Sequence, residues 1–408
     1  MMEGKANNKY SYLPAGWEMK RLKDVAINCG DYGANAPALP YKAGDIRYIR
    51  ITDIDDYGHL ISDDQASLDE TIAQNYLLKD NDILFARTGD TVGKSLLYKS
   101  SMGRAAYAGY LIRFTLDEKL ILPEYFDAIA KSDIFEAFKI SMKRIGAKPN
   151  INSREYGIFR FPMPLNLDEQ KGIAKLFTKV DKAIASVQNS IAAAERLKKS
   201  LMQNLLTGKM KPDGTFRTPE EFYIDKKFGK VPMGWKVVKF GKRVVLLYGK
   251  SQKEVVSKNG SIPIYGTGGV IEYATKALCN HKSVLVGRKG TIDKPFFIDV
   301  PFWAVDTTFF VDTFNDGNMK YLYYLLLRMN LRSLNEATGV PSVTIRTINS
   351  QIIIIPPLNE QNIIVQEIEK VEKQITKSQN NIATLERLKK SLMQNLLTGK
   401  VKINAYKQ

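Results

Sequence analysis

The stretch ERLKKSLMQNLLTGK at residues 195–209 decides the fold, because it recurs letter for letter at residues 386–400. At the same offset, Glu169-Gln170 corresponds to Glu360-Gln361. A second landmark, Pro-x-Gly-Trp, occurs at residues 14–17 and again at 232–235. A chain of 408 residues also exceeds the usual size of one domain. The repeat therefore predicts a duplicated unit, each copy a globular part followed by a long segment.

The two long segments carry apolar residues at alternating steps of three and four, which is the pattern of a coiled coil. Pro164 and Asp168, then Pro357 and Asn359, supply start signals, while glycines 208 and 399 supply stop signals. We expect two long helices that pack against each other. The residues expected in helix packing or in a subunit interface are Ile184, Ile191, Leu201, Ile375, Ile382 and Leu392.

The globular parts mix β-rich runs, such as 46–54, 82–87 and 283–288, with helical patterns at 125–142 and 319–334. This pattern predicts an α+β chain in which two globular α/β domains accompany the helix pair. The expected boundaries are residues 1–165 for the first domain, 166–209 for its helix, 210–231 for a linker, 232–355 for the second domain, and 356–408 for the second helix and tail.

The charge of the chain favours a polyanionic partner. Sixty basic and 43 acidic residues give a net charge of +17. Residues 10–160 hold 20 basic and 21 acidic residues, whereas residues 232–355 hold 16 and 8. Basic residues beside turn-forming glycines can hold phosphates and reach base edges, although such a cluster is also typical of a solvated surface. The candidate DNA contacts are Arg87, Lys94, Arg104, Lys143, Arg144, Lys148, Lys250, Lys253, Lys258, Arg288, Lys289 and Arg346.

The sequence offers few parts for catalysis. It has two cysteines, Cys29 and Cys279, and two histidines, His59 and His281. TGDTVGKS at residues 88–95 is one residue too short between its glycines for a phosphate-binding loop. G-x-G-x-x-G, H-E-x-x-H and the Asn/Asp-Pro-Pro-Tyr/Phe motif of amino-methyltransferases do not occur. We therefore predict a binding protein with no catalytic residue, cofactor or metal.

No apolar run approaches the ~18 residues of a membrane helix, and the N-terminal sequence has no apolar segment typical of a secretory signal. Two cysteines do not make a disulfide framework and fit a reducing compartment. We expect a cytoplasmic protein without a membrane partner.

The tandem arrangement resembles the specificity subunit of type I restriction–modification systems. The resemblance covers nearly the whole chain and rests on the openings LPAGW and VPMGW, the Glu-Gln helix starts, and the duplicated helix ends. It implies two target recognition domains that each read one half of a split, asymmetric sequence in double-stranded DNA. It also implies an antiparallel helix pair that docks two methyltransferase subunits and, through them, restriction and translocase subunits.

Other interpretations remain open from the sequence. A second interpretation within the same class is the specificity subunit of a related system with a bipartite site, or an orphan subunit. The net charge of −1 over residues 10–160 also fits an assembly scaffold whose globular parts bind protein. A self-sufficient nuclease or methylase would contradict the missing motifs, and purified protein with metal or methyl donor would test it.

Overall fold

The computed structural model describes residues 13–142 and 148–403. The chain divides into two compact units: unit 1 is Met1–Val187 with Asn381–Gln408, and unit 2 is Gln188–Asn380. Each of the two long helices therefore contributes residues to both units. The five segments expected from the sequence separate the globular domains from the helices, whereas each unit combines a globular part with portions of both helices. The five segments therefore remain a prediction.

Unit 1 contains the first globular part, which we call the first head. Its strands are β1 (Trp17–Arg21), β2 (Asp31–Tyr32), β3 (Leu39–Pro40), β4 (Arg47–Ile49), β5 (Ala66–Ser67), β6 (Ile83–Ala86), β7 (Ser95–Leu97), β8 (Ala105–Tyr107), β9 (Leu111–Phe114) and β10 (Arg160–Pro164). Its helices are α1 (Leu22–Val25), α2 (Glu70–Ala73), α3 (Pro123–Ala130), α4 (Asp133–Ser141) and α5 (Ser153–Gly157). The first long helix, α6 (Leu167–Leu205), follows β10 directly.

Unit 2 contains the second head. A hairpin of β11 (Phe222–Asp225) and β12 (Gly229–Pro232) precedes it. The strands of the second head are β13 (Lys236–Lys239), β14 (Val244–Tyr248), β15 (Ile262–Gly266), β16 (Gly269–Ala274), β17 (Ser283–Gly287), β18 (Phe296–Ile298), β19 (Trp303–Ala304), β20 (Thr308–Phe314) and β21 (Ile352–Ile355). Its helices are α7 (Met319–Arg328) and α8 (Ile345–Ser350), and the second long helix is α9 (Leu358–Leu396).

The two heads share most of their topology, although the sheet that holds the parallel pair has four strands in the first head and three in the second. The first head has a four-stranded sheet in the order β2-β9-β6-β7, and the second has β14-β20-β17-β18. A parallel strand pair accompanies each sheet, β4 with β8 and β15 with β19. An antiparallel pair joins the opening strand to the strand before the long helix, β1 with β10 and β13 with β21. The duplication read from the helices therefore extends through the globular parts.

The sequence landmarks meet where each head joins its long helix. The Trp17 indole N–H donates to Glu169 Oε1 at 3.3 Å, and the Trp235 indole N–H donates to Glu360 Oε2 at 3.0 Å. The glutamine after each glutamate is fully buried. Glu-Gln thus ties the start of each long helix to the opening strand of its own head.

The side chain of each buried glutamine forms hydrogen bonds with backbone N–H and carbonyl groups of its own head. Gln170 Nε2 donates to Pro164 O at 2.9 Å and to Leu120 O at 3.1 Å, while its Oε1 accepts from the Leu122 N–H at 2.7 Å. Gln361 donates to Pro356 O at 3.0 Å and accepts from the Asn318 N–H at 2.9 Å. Both side chains thereby satisfy the backbone at the N-terminus of the helix that closes each head.

The long helices end at the glycines named from the sequence. Gly208 and Gly399 have φ of +67° and +71°, which favours glycine. A Cβ at Gly208 would lie 2.3 Å from the Pro232 ring, and one at Gly399 would lie 2.7 Å from the Pro14 ring. Within unit 2 the end of α6 thus packs on the second Pro-x-Gly-Trp, and within unit 1 the end of α9 packs on the first.

Parts of α6 and α9 run antiparallel inside each unit. In unit 1, Asp181 pairs with Lys389 at 2.6 Å, and in unit 2, Lys198 pairs with Glu372 at 2.7 Å. Ala194, Val371 and Ile375 form a buried cluster in unit 2. Coiled-coil packing along the helices remains a prediction.

The residues predicted for helix packing occupy several surroundings. Ile375 and Leu392 are buried, Ile191 and Leu201 pack against buried clusters of unit 2, and Ile184 packs against the core of unit 1. Ile382 is half-buried and belongs to no described cluster.

Some local predictions differ from the structure. The helical pattern at 125–142 is two helices, because the buried Ser132 caps α4: its hydroxyl accepts from the Ile134 N–H at 3.2 Å and donates to Ile129 O at 2.7 Å. The pattern at 319–334 continues beyond α7 only as a 3₁₀ turn, Leu331–Leu334. The segment 210–231, expected as a linker, contains β11 and most of β12.

Candidate nucleic-acid interface

A groove of about 660 Å³ opens on the first head beside the end of β6. It is lined by Tyr32, Gly33, Ala34, Asn35, Ala36, Ala38, Tyr48, Arg50, Ile51, Thr52, Arg87, Ala108, Gly109 and Tyr110, and we call it the first groove. Gly33 is required at its floor, since a Cβ there would lie 2.3 Å from Tyr107 O. Aromatic, amide and guanidinium groups together suit the edges and faces of nucleotides.

Strand pairing brings Arg87 and Tyr32 together. Ile112 of β9 pairs with Tyr32 on one side and with Phe85 on the other, so the residue after β6 emerges beside the Tyr32 ring. The Arg87 guanidinium carbon lies 5.0 Å from the centre of that ring and 5.9 Å from the centre of the Tyr110 ring. Both distances fall in the range of cation–π contacts.

The backbone fixes Arg87 as well. Its N–H donates to Tyr110 O at 3.0 Å and its carbonyl accepts from the Ile151 N–H at 3.0 Å. Tyr32 and Tyr110 are 41% and 56% exposed, so the two rings that flank the cation face solvent. The arginine is therefore presented at the surface in a defined position.

The pKa of the Tyr32 hydroxyl lies below its ordinary value. Partial burial opposes this shift, but the hydroxyl accepts a hydrogen bond from the Ser153 backbone N–H at 3.2 Å and lies beside the Arg87 charge. Both groups stabilise the phenolate, and together they outweigh the cost of burial. The hydrogen bond from Ser153 is the larger of the two contributions, ahead of the Arg87 charge.

The second head repeats the arrangement. Phe309 of β20 lies between Tyr248 and Val286, and the Arg288 guanidinium carbon is 5.4 Å from the centre of the Tyr248 ring. The Arg288 N–H donates to Thr307 O at 2.8 Å, and its carbonyl accepts from the Val343 N–H at 3.0 Å. Tyr248 is 52% exposed. Each backbone bond has its counterpart around Arg87.

Glycine follows the tyrosine in both heads for one reason. A Cβ at Gly249 would lie 2.0 Å from Val305 O, which repeats the close approach of backbone at Gly33. The parallel strand pair of each head passes directly beneath this position. Sequence reasoning missed that Tyr-Gly at 32–33 and 248–249 occupies equivalent positions, because the dipeptide also occurs at 57–58, 156–157 and 265–266 and is a weak signal alone.

Two of the predicted contacts in the first head already have acidic partners. Lys94 pairs with Asp56 at 2.8 Å and donates to Ile54 O, and Arg104 approaches Glu70 at 3.8 Å. The two pairs lower the charge that these side chains offer to a polyanion. Lys148 is exposed, whereas Lys143 and Arg144 lie outside the described residues.

The predicted contacts in the second head are more available. Arg288 is partly exposed, and five further basic residues are exposed: Lys250, Lys253, Lys258, Lys289 and Arg346. Within residues 13–142 and 148–403, none of these six side chains forms an ion pair with a carboxylate. The backbone N–H of Lys289 donates to Thr307 O at 3.2 Å, the same carbonyl that accepts from the Arg288 N–H.

The described residues contain no cluster of three or more His, Cys, Asp and Glu side chains that could hold a metal ion. Asp53 is buried and accepts hydrogen bonds from Arg50. Within the same part of the chain, every helix is too short or too polar to cross a membrane.

The family model described as type I restriction modification DNA specificity domain matches residues 14–196 and 232–387. The chain belongs to this specificity family. The two matched segments each contain one head and most of the long helix that follows it. The resemblance inferred from the repeats is therefore confirmed, together with the general role of DNA sequence recognition.

Two relatives of this specificity family member align with 80% or more of its length. The type I restriction enzyme MjaIX specificity subunit of Methanocaldococcus jannaschii is 23% identical over 96% of this chain and 95% of its own length. The MjaVIII specificity subunit of the same organism is 24% identical over 80% of each chain. The type I restriction–modification S subunit from M. genitalium has a similar fold, with a TM-score of 0.60 at 12% identity over 96% of this chain and 98% of its own.

A chain from a structure of the type I R-M system, solved to explain complex assembly and conformational transition, also has a similar fold. Its TM-score is 0.59 at 17% identity, over 96% of this chain and all of that one. At such identity the likeness concerns the fold of this specificity family member, and the individual contacts must come from its own residues.

Proposed function

We propose that this chain reads a bipartite, asymmetric sequence in double-stranded DNA, with one half-site for each head. The observation that carries the proposal is the duplicated arginine–tyrosine pair: Arg87 with Tyr32 and Arg288 with Tyr248 stand in equivalent backbone settings. Two surfaces of one design suit two ligands of one chemical kind. One DNA duplex can supply two such ligands, because it presents the same phosphate and base chemistry at two half-sites.

The residues around the shared pair support two different half-sites. After the parallel strand, the first head has Arg50, Ile51 and Thr52, and the second has residues 266–268 of sequence Gly-Thr-Gly. After the Tyr-Gly pair, Asn35 of the first head corresponds to serine 251 of the second. Since side chains at base edges discriminate sequence, unequal side chains predict unequal half-sites.

We further propose that the long helices dock two methyltransferase subunits and, through them, restriction and translocase subunits. In support, Leu197 and Leu388 occupy equivalent positions of the identical 15-residue stretch and are 50% and 48% exposed. Two like apolar surfaces fit two copies of one partner. The structure of an assembled type I R-M system, to which one similar chain belongs, is consistent with such assembly.

Methylated-base mapping tests the proposal directly. A host would express the candidate methyltransferase subunit with and without this chain, and modified bases would be mapped across the genome. We expect one split, asymmetric motif with a constant unread gap, present only with the chain. Half-site centres about one helical turn, ~10 bp, apart would place both heads on one face of DNA. Unchanged methylation in a host where the complex assembles would refute the reading function.

A further inference from the structure

Arg87 and Arg288 occupy equivalent positions in two heads whose surrounding residues differ. Arg87 follows β6 and Arg288 follows β17, which are corresponding strands of the four-stranded sheets of the two heads. The backbone N–H and carbonyl of each arginine are bonded to equivalent loops, and each guanidinium lies over an exposed tyrosine ring. The next glycines correspond as well, because the Gly89 N–H donates to Pro149 O at 3.0 Å and the Gly290 N–H to Pro341 O at 2.8 Å.

The surroundings differ where discrimination is needed. The second ring that flanks Arg87, Tyr110, corresponds to Thr307, since each supplies the carbonyl that accepts from the arginine N–H. Arg50 of the first groove corresponds to a glycine. If the two half-sites differ, unequal residues must distinguish them, and a residue that is the same in both heads does not. It suits what the half-sites share, which is the phosphate backbone.

We infer that Arg87 and Arg288 are sequence-independent phosphate anchors, one per head, each held in place by the exposed tyrosine beneath it. This inference rests on the proposed DNA-reading function and assigns the discrimination of bases to the unequal residues around the anchors. Stacking on Tyr32 or Tyr248 limits the rotamers of the guanidinium before DNA binds. Neither arginine is paired with a carboxylate within the described residues, so its charge is available to a phosphate.

The experiment uses the complex of the full chain with its methyltransferase subunits, and duplexes that carry either the mapped motif or single-base changes in each half-site. Arg87→Ala and Arg288→Ala should each weaken binding to all duplexes by one common factor. Each should reduce the slope of log K against log salt concentration by about one. The methylated motif should stay unchanged. Arg87→Lys and Arg288→Lys should restore most of the slope, because lysine binds phosphate as a point charge.

The control is Lys226→Ala, which removes an exposed charge from the turn between β11 and β12. Its slope and affinity should match those of the unaltered chain. The inference is wrong if an arginine variant relaxes the motif at one base position, which would make that arginine a base reader. It is also wrong if neither alanine variant changes the slope. In either case the unaltered complex would still methylate its split motif, so a failure of the proposed function, seen as the absence of that motif, is distinguishable.

Discussion

The buried amide of Gln170 offers a quantitative test of how each head is attached to its long helix. Replacing it with leucine keeps the volume of the side chain close to that of glutamine while it removes all three hydrogen bonds. The Leu122 N–H then has no partner at the start of α3. Gln361→Leu in unit 2 removes two hydrogen bonds and leaves the Asn318 N–H without its partner.

The expected magnitude follows from the bonds. Three net hydrogen bonds contribute about 1 kcal/mol each, and an orphaned buried N–H adds roughly 1–3 kcal/mol, so Gln170→Leu should cost about 4–6 kcal/mol of unfolding free energy. Gln361→Leu should cost about 1 kcal/mol less, because one bond fewer is lost. Gln203→Leu, on the exposed surface of α6, is the matched control and should change stability by no more than about 0.5 kcal/mol.

Urea unfolding followed by tryptophan fluorescence separates the two effects, because Trp17 reports unit 1, and Trp235 and Trp303 report unit 2. Hydrogen exchange at the Leu122 amide gives a local measure and should accelerate in Gln170→Leu alone. If Gln170→Leu unfolded at the urea concentration of the control, the amide would not hold the junction, and the reasoning from the buried bonds would be refuted.

Three further changes test other parts of the molecule. Leu197→Glu and Leu388→Glu should each weaken methyltransferase binding at least tenfold in a pull-down or calorimetric titration with unfolding free energy unchanged within about 0.5 kcal/mol; tight binding by the double variant would place the docking surface elsewhere. Arg217→Met should destabilise unit 2 by about 3 kcal/mol in urea, since Arg217 binds the Gly208 and Met210 carbonyls and the Glu360 carboxylate; an unchanged midpoint would contradict this role. Burial raises the pKa of Tyr107 to about 12, so the unfolded state loses its proton first and stability should fall as pH rises from about 10 to about 12; Tyr107→Phe should flatten that part of the curve, and an unaltered slope would show that this hydroxyl is not responsible.

The architecture was predictable because its signal is long. The helices expected at 166–209 and from 356 onwards are Leu167–Leu205 and Leu358–Leu396, and the stop signals at Gly208 and Gly399 lie at their ends. Dozens of residues repeat one spacing there, so single exceptions such as Ser378 do not obscure it. The pattern at 125–142 is too short for its repeated spacing to outweigh one exception. Ser132, whose buried hydroxyl caps α4, separates this stretch into two helices.

The groove was only partly predictable for the opposite reason. Arg87 and Arg288 could be named from charge and neighbouring glycines, but Tyr32 and Tyr248 could not, since each reaches its arginine across a strand distant in sequence. Charge alone also gave no sign of the ion pair between Lys94 and Asp56, which comes from another loop. The arginine–tyrosine contacts and the Lys94–Asp56 ion pair both depend on contacts between segments that are distant in the sequence. A single sequence does not show which distant segments are in contact.

The division of the chain into units has a consequence for its synthesis. Unit 2 is one continuous stretch of 193 residues, whereas unit 1 needs both ends of the chain. Leu392, Met393 and Leu396 complete the core that begins with Ile173 and Phe177. At about 5–20 residues per second, the ribosome adds these last side chains roughly 10–40 s after the first head has emerged. The head that is made first is thus the last to be finished, and until then it exposes an apolar surface that a chaperone or a premature partner could occupy.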